Sequence, residues 1–313
     1  HLSCIEGFTC HAQHARAMSI AIREMFASIS GRYDVANAVL SFGAHRSWRR
    51  RVAEEAVLPA HAGVLDCATG TGDLALEFAR NLGSRAKIVG VDFTPEMLRL
   101  AEEKAARRLA AVEFVQADVT DLPFANSMFD AASTAFGIRN VDNPIQGLRE
   151  MARVVRPGGK VLVLEFGRCG GGLLGLLYAF YTAYLIPVIG GLLTGHRSAY
   201  RYLNRSSRSF PSGDAFLKLM QETGMFSRVE RVPLALDVVY LYSGTVSQHE
   251  TPSHRGEHQS SRRKDRGICA RQPPNARLTS PPVPRRLAPR LHLGLKAWSA
   301  PESPTQSQRA LVL

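Results

Sequence analysis

From residue 63 onward, short apolar runs alternate with stretches in which apolar residues recur every three or four positions. The runs lie near 63–67, 87–92, 111–116, 129–135 and 160–166, and each predicts a strand. Helical spacing appears over 74–80, 95–109 and 144–155. Such alternation implies an α/β fold, a parallel sheet with helices on both faces. Farther on, 216–223 predicts a helix, and 226–232 with 238–246 a terminal hairpin that closes the folded unit near residue 246. Residues 20–60 read as an amphipathic helical lead-in. Arg156-Pro157-Gly158-Gly159 reads as a turn that ends one helix and launches the fifth strand.

One stretch breaks the alternation. Residues 170–195 contain no charged residue and are long enough for a bilayer, which asks for about twenty apolar residues. A spanning helix there would put the two halves of the sheet on opposite sides of the membrane, and Pro187 with the clustered glycines weakens one continuous helix. The expectation is a lid or membrane-resting insert, with plain packing against the sheet as the alternative.

Composition narrows the picture. The 313 residues are 45% hydrophobic, enough to fill a core. The net charge of +12 is unevenly placed: residues 251–313 hold twelve Lys and Arg against three acids, a net of +9, leaving +3 for the rest. The basic excess therefore marks a Pro-, Ser- and Arg-rich tail rather than a nucleic-acid-binding domain, and 247–313 is expected to be disordered. Residues 1–17 resemble neither a signal peptide nor a transit peptide and read as an unstructured or mis-called start, with Met18 or Met25 a natural beginning. That leaves 18–246 as the folded domain. Five scattered cysteines give no disulfide framework and no metal-ligand spacing, and point to a reducing compartment.

The candidate chemistry sits between the first two strands. Val64-Leu65-Asp66-Cys67-Ala68-Thr69-Gly70-Thr71-Gly72-Asp73 is a strand, a glycine turn and a helix start, and Asp92 ends the next strand. Gly70 and Gly72 let the backbone turn tightly and approach a ligand, and Asp92 stands where such folds hold a ribose by its hydroxyls. Gly70-x-Gly72-x-x-Ala75 also satisfies the dinucleotide pattern, so a pyrophosphate and S-adenosylmethionine both remain open. Asp66 and Asp73 would crowd the first and suit the sulfonium and amino groups of the second. After the third strand, Asp118 could accept the adenine amino group and Val119 cover its ring. Past the fourth strand, Arg139 beside Asn140 is either directed into the pocket or a salt-bridged structural arginine.

From about Met25 to Val246 the chain resembles the menaquinone and ubiquinone biosynthesis C-methyltransferases. The resemblance rests on 26–34 with Tyr33-Asp34, Leu40-Ser41-Phe42-Gly43, Trp48-Arg49, 66–73, Leu122-Pro123-Phe124, 136–141, 156–159, Leu164-Glu165-Phe166, Tyr200-Arg201-Tyr202-Leu203 and Phe210-Pro211. It implies a Rossmann-like class I methyltransferase sheet of seven strands with the last antiparallel. It also implies S-adenosylmethionine as cofactor, contacted by Asp66, Gly70, Thr71, Gly72, Asp92, Asp118 and Val119, and a polyprenylated quinol as substrate. Tyr33, Arg139, Asn140 and Tyr202 match positions near the quinol, the first three being its implied catalytic residues. The family often has a serine where this chain has Ala135. No metal and no nucleic acid is implied. A cytoplasmic enzyme resting on the inner face of the membrane is expected, and a homodimer is left open. Methylating a ring carbon builds phenolate charge, which Arg139 would stabilise. Arg139 is a poor base, and His196, Asp118 or a water stand unranked for that role.

Overall fold

The computed structural model describes residues 3–168 and 172–248. From residue 249 the expected basic tail lies outside these residues, as do positions 170 and 171 of the uncharged stretch. The first helix, α1 (Ser3–Leu40), takes in residues 3–17, which the sequence reading set apart as unstructured. Proline is absent from this stretch and alanines are frequent, so nothing local stops the helix there. Gly43, in the left-handed conformation, turns the chain into α2 (Ala44–Glu55).

Seven strands follow: β1 (Gly63–Cys67), β2 (Lys87–Asp92), β3 (Val112–Gln116), β4 (Phe129–Ala135), β5 (Val155–Phe166), β6 (Phe226–Leu234) and β7 (Val239–Val246). Their order is β3-β2-β1-β4-β5-β7-β6, with β7 antiparallel to both neighbours. The chain winds outward from β1 through β2 and β3, then resumes on the other side at β4, so the switch point falls between β1 and β4. In β5, Arg156-Pro157-Gly158-Gly159 is a bulged excursion within the strand rather than a turn preceding it: Phe129 pairs with Val155, and Ala131 already with Lys160.

Helices α3 (Asp73–Leu82), α4 (Pro95–Arg107), α5 (Pro144–Val154) and α9 (Asp214–Glu222) join the strands. Pro144 is pre-set for the first turn of α5, and Asn143 caps it by accepting from the Gln146 N–H at 3.1 Å. Strand alternation divides the core between two faces. Leu65, Cys67, Val161, Val163 and Tyr242 pack on one side with Met151 and Phe216, while Val64, Leu162, Leu164 and Leu241 meet Leu74 and Phe78 on the other.

The uncharged stretch forms α6 (Gly172–Phe180), a π-helical turn (Tyr181–Leu185) and α7 (Ile186–Thr194), followed by α8 (Arg197–Ser209). Helical backbone is unbroken from 172 to 194, contrary to the expectation drawn from Pro187. The wide turn absorbs the proline: Pro187 offers no N–H to the preceding carbonyls, and the Thr182 carbonyl accepts instead from the Asn204 side chain of α8. Rather than joining the sheet core, this layer packs on α1, in a third cluster built from Ile29, Ala36, Ala199 and Tyr200.

Candidate active site

At the carboxyl ends of β1, β2, β3 and β4 lies an open cleft of about 760 Å³, solvent included. Asp92 closes it from β2. Its Oδ2 accepts from the Gly70 N–H and its Oδ1 from the Thr94 N–H, both at 2.9 Å. Burial nonetheless holds its carboxyl above the ordinary value. Gly70, at φ +56°, has nothing within 4 Å of where a Cβ would stand, which leaves the loop open for a ligand to approach. Asp118 and Val119 line the same cleft, with Asp118 Oδ1 already bonded to the Thr120 N–H and hydroxyl at 2.8 Å.

Ala68 and Phe136, also lining the cleft, hold left-handed φ of +51° and +59°. Such strain in residues with side chains costs about 1–3 kcal/mol and collects at functional sites. Ala135 contributes only a methyl here, so no hydroxyl is offered at the position where the family often has serine.

A small polar recess opens beside Gly70, lined by Tyr33, Arg49, Asp66, Thr69, Thr71 and Asp73. Four expectations change here. Asp66 is engaged by the protein: Oδ2 accepts from Thr69 at 2.6 Å and Oδ1 from Ser133 at 2.9 Å, and burial pushes its carboxyl up to about 6. Asp73 is balanced by Lys104 at 2.7 Å and Arg49 at 3.4 Å, so it is no free counter-charge for a sulfonium. Despite burial, those two cations hold its carboxyl below the ordinary range. The Thr71 hydroxyl donates to Asp34 at 2.6 Å and accepts from Lys104 at 3.0 Å, pinning α1 and α4 to the loop. Gly72, at φ +80°, lines neither cleft nor recess; a Cβ there would stand 3.0 Å from Ala101 and 3.1 Å from Phe114, so it serves packing.

A further cavity, of about 970 Å³ with solvent, is walled by α1, α2 and the α6–α8 layer. It shares Phe26, Tyr33 and Phe136 with the cleft, so the two meet there. Arg139 lines this cavity, Asn140 the cleft, and the Tyr202 hydroxyl bridges them by donating to Asn140 Oδ1 at 3.2 Å. Arg139 is not a free cation. Its Nη1 lies 2.7 Å from Glu165 Oε1, with both side chains buried, and it donates to the Phe136 carbonyl at 2.6 Å. Burial raises the Glu165 carboxyl while Arg139 opposes that shift. The salt-bridged alternative thus holds, yet Arg139 Nε and Glu165 Oε2 remain buried without partners.

His196 and Asp118 do not line this cavity, and His196 is exposed at the start of α8. The histidine that does is His45, to which, as to Arg49 and Glu165, the sequence assigned no role. Their only signal was position inside the quoted family stretches or beside them. Cys67 is buried, and burial pushes its thiol well up, as befits a packed residue.

S-adenosylmethionine fits this arrangement better than a dinucleotide does. The cleft is lined by Asp92, Asp118 and Asp142 and by no lysine or arginine, which disfavours a pyrophosphate and favours a cation. In the recess, buried Arg49 Nη1, ion-paired with Asp73 at 3.4 Å, makes no hydrogen bond and so keeps one to give an α-carboxylate. Asp118 and Val119 would take the adenine and Asp92 the ribose.

Comparison with known proteins agrees. Residues 12–245 match the model of the ubiE/COQ5 methyltransferase family. The ubiquinone/menaquinone biosynthesis C-methyltransferase UbiE of Bdellovibrio bacteriovorus is 48% identical over 225 residues, which cover 72% of this chain and 95% of that protein. The demethylmenaquinone methyltransferase of Deinococcus radiodurans is 43% identical over 208 residues, covering 66% and 86%. In fold, the chain is similar to a solved S-adenosylmethionine-dependent methyltransferase of Thermotoga maritima, with TM-score 0.51 and 19% identity over 72% of this chain and 99% of the other. The chain belongs to the ubiE/COQ5 methyltransferase family, and it is an enzyme whose methyl donor is S-adenosylmethionine.

Proposed function

We propose that this enzyme methylates a ring carbon of a polyprenylated quinol, demethylmenaquinol or a methoxy-polyprenyl-benzoquinol, in quinone biosynthesis. The observation that carries this reading is the largely apolar cavity that meets the cofactor cleft at Tyr33 and Phe136, with Arg139 and His45 among its polar lining. Phe136, packed on Phe166 at 4.5 Å between ring centroids and on Trp48 at 6.1 Å, gives the cavity an aromatic wall for a ring, while Ile186, Tyr181 and Leu203 offer an apolar exit for a prenyl chain. The relatives' names, which include ubiquinone and menaquinone biosynthesis, support the same substrate class.

When bound, S-adenosylmethionine supplies an electrophilic methyl group on a sulfonium. Arg49 would hold its carboxylate and Asp92 its ribose. Tyr33 stands where donor and ring meet and sets their alignment, which is where an in-line displacement gains most. Arg139, held by Glu165, faces oxygen charge as it develops on the ring. Because Glu165 already neutralises much of the guanidinium, its contribution is a directed hydrogen bond from Nε more than a free charge.

The exposed side of the α6–α7 layer supports contact with a membrane, from which so apolar a substrate would come. Leu173, Leu176, Leu177, Phe180, Tyr184 and Leu192 are each more than half exposed. Neighbouring α8 carries exposed Arg197, Arg201, Arg205 and Arg208. The helical run Gly175–Thr194 is 20 residues long with mean hydropathy 1.8 and only 11% buried. Pro187, Gly190 and Thr194 are buried on its protein side, so the run suits lying in an interface better than crossing it. The setting is then the cytoplasmic face of the membrane, whether the enzyme works as a monomer or a homodimer.

The test is transfer of label from methyl-labelled cofactor to short-chain demethylmenaquinol and to the benzoquinol, kept reduced. Asp92→Ala serves as the control that loses cofactor binding. Label in either ring carbon is expected; cofactor binding without label in either quinol overturns the reading.

A further inference from the structure

We propose that His45 is the general base that takes the quinol hydroxyl proton, an inference that rests on the quinol reading above. Its geometry fixes its chemistry. The Ser41 hydroxyl donates to the Asn37 carbonyl at 2.6 Å, so only its lone pairs are left for His45 Nδ1, 2.7 Å away. Nδ1 therefore carries the ring proton and Nε2 keeps the lone pair, the form a base requires. Only 6% of the residue is exposed to solvent, and it lines the cavity that holds Tyr33, Arg139 and Tyr202.

Its surroundings keep it in that form. Burial, with Arg49 and Arg46 on its own helix, lowers its affinity for a proton, while Asp73 of α3 and Asp34 of α1 pull the other way. The net direction is downward, so the ring is neutral at pH 7. The rival acceptor Glu165 lies behind Arg139 and does not line the cavity.

The proton balance closes. Nε2 takes the hydroxyl proton as the oxygen's electrons move into the ring. The ring carbon forms its bond to the methyl while the sulfur–carbon bond breaks, its electrons going to sulfur. As the ring regains aromaticity, the proton on that carbon leaves and the oxygen recovers one, so each methyl transferred releases one proton. Asp73 and Asp34, themselves paired with cations, favour the imidazolium formed in between through their field alone.

Two variants and one spectroscopic measurement test the assignment. In the full chain, with short-chain quinol and saturating cofactor, His45→Gln should lower kcat by about a hundredfold or more, the usual worth of a positioned base. Cofactor affinity by calorimetry should be unchanged. The wild-type kcat should fall at acid pH, and that limb should vanish in His45→Gln; added imidazole should restore part of the rate of His45→Ala. A His45→Gln enzyme with wild-type kcat and an intact acid limb overturns the proposal. Independently of turnover, nitrogen-15 spectra should show His45 as the Nδ1–H tautomer titrating below the ordinary 6.5. An Nε2–H tautomer overturns it as well. If the wild type binds cofactor yet labels no quinol, the substrate reading has failed, and the spectra still decide the state of His45.

Discussion

Asp66 illustrates how one residue can be placed by its neighbours in sequence and assigned its task by distant ones. Its position before the glycine turn suggested a ligand contact, yet its two oxygens hold Thr69 and Ser133. With its carboxyl raised from 3.8 to about 6, the ionised form is about 3 kcal/mol less favourable in the folded chain than in the unfolded one. Neutral Asp66 thus favours the folded state, a contribution that is whole below about pH 4, where the carboxyl is neutral in both states, and is lost as pH rises from there through about 6. A cation bound nearby reverses the preference. Cofactor affinity is therefore expected to rise with pH through about 6, by up to tenfold per unit, with proton release on binding. Calorimetry in buffers of different ionisation enthalpy reads this directly, and an affinity flat between pH 5 and 7 would contradict it. The Arg139–Glu165 pair gives a second expectation at this scale. Glu165→Gln leaves a buried guanidinium uncompensated, and urea denaturation should show a loss of about 3–5 kcal/mol. The same variant should keep cofactor affinity, since Glu165 lines neither cleft nor recess.

At the scale of elements, the strands and their connecting helices were legible because their signal is local. A fully buried β1 and a capped, proline-started α5 are written in consecutive residues. The α6–α7 layer was not, because Pro187 weakens a helix only when no wider turn and no side chain such as Asn204 takes up the freed carbonyls. That accommodation comes from α8, which no window around Pro187 contains. The layer also yields a prediction: Leu176→Glu with Phe180→Glu, both on exposed positions, should abolish sedimentation with anionic lipid vesicles. Cofactor affinity should stay the same, and unchanged vesicle binding would remove the membrane from the account.

In the whole molecule, the sheet's switch point brings the ends of β1, β2, β3 and β4 to one edge, and the α1, α2 and α6–α8 layer covers it. Cofactor class, fold and the Asp92, Asp118 and Val119 positions were readable in the sequence, because strand ends and glycine turns announce themselves locally. What needed the tertiary structure was every pairing across long separations. Asp34 reaches Thr71 and Lys104, Arg49 reaches Asp73, and Arg139 reaches Glu165. These partners decide which charges are spent on holding the fold and which stay open to a ligand. Periodicity fixes which residues turn inward; only packing fixes what they meet there, because burial makes a charge's energy depend on its nearest neighbours. So the sequence alone determined a doubly wound sheet with a sulfonium-suited loop. The folded chain decided that Asp73 is neutralised, that Arg139 is tethered, and that His45 lines the cavity with Nδ1 against Ser41.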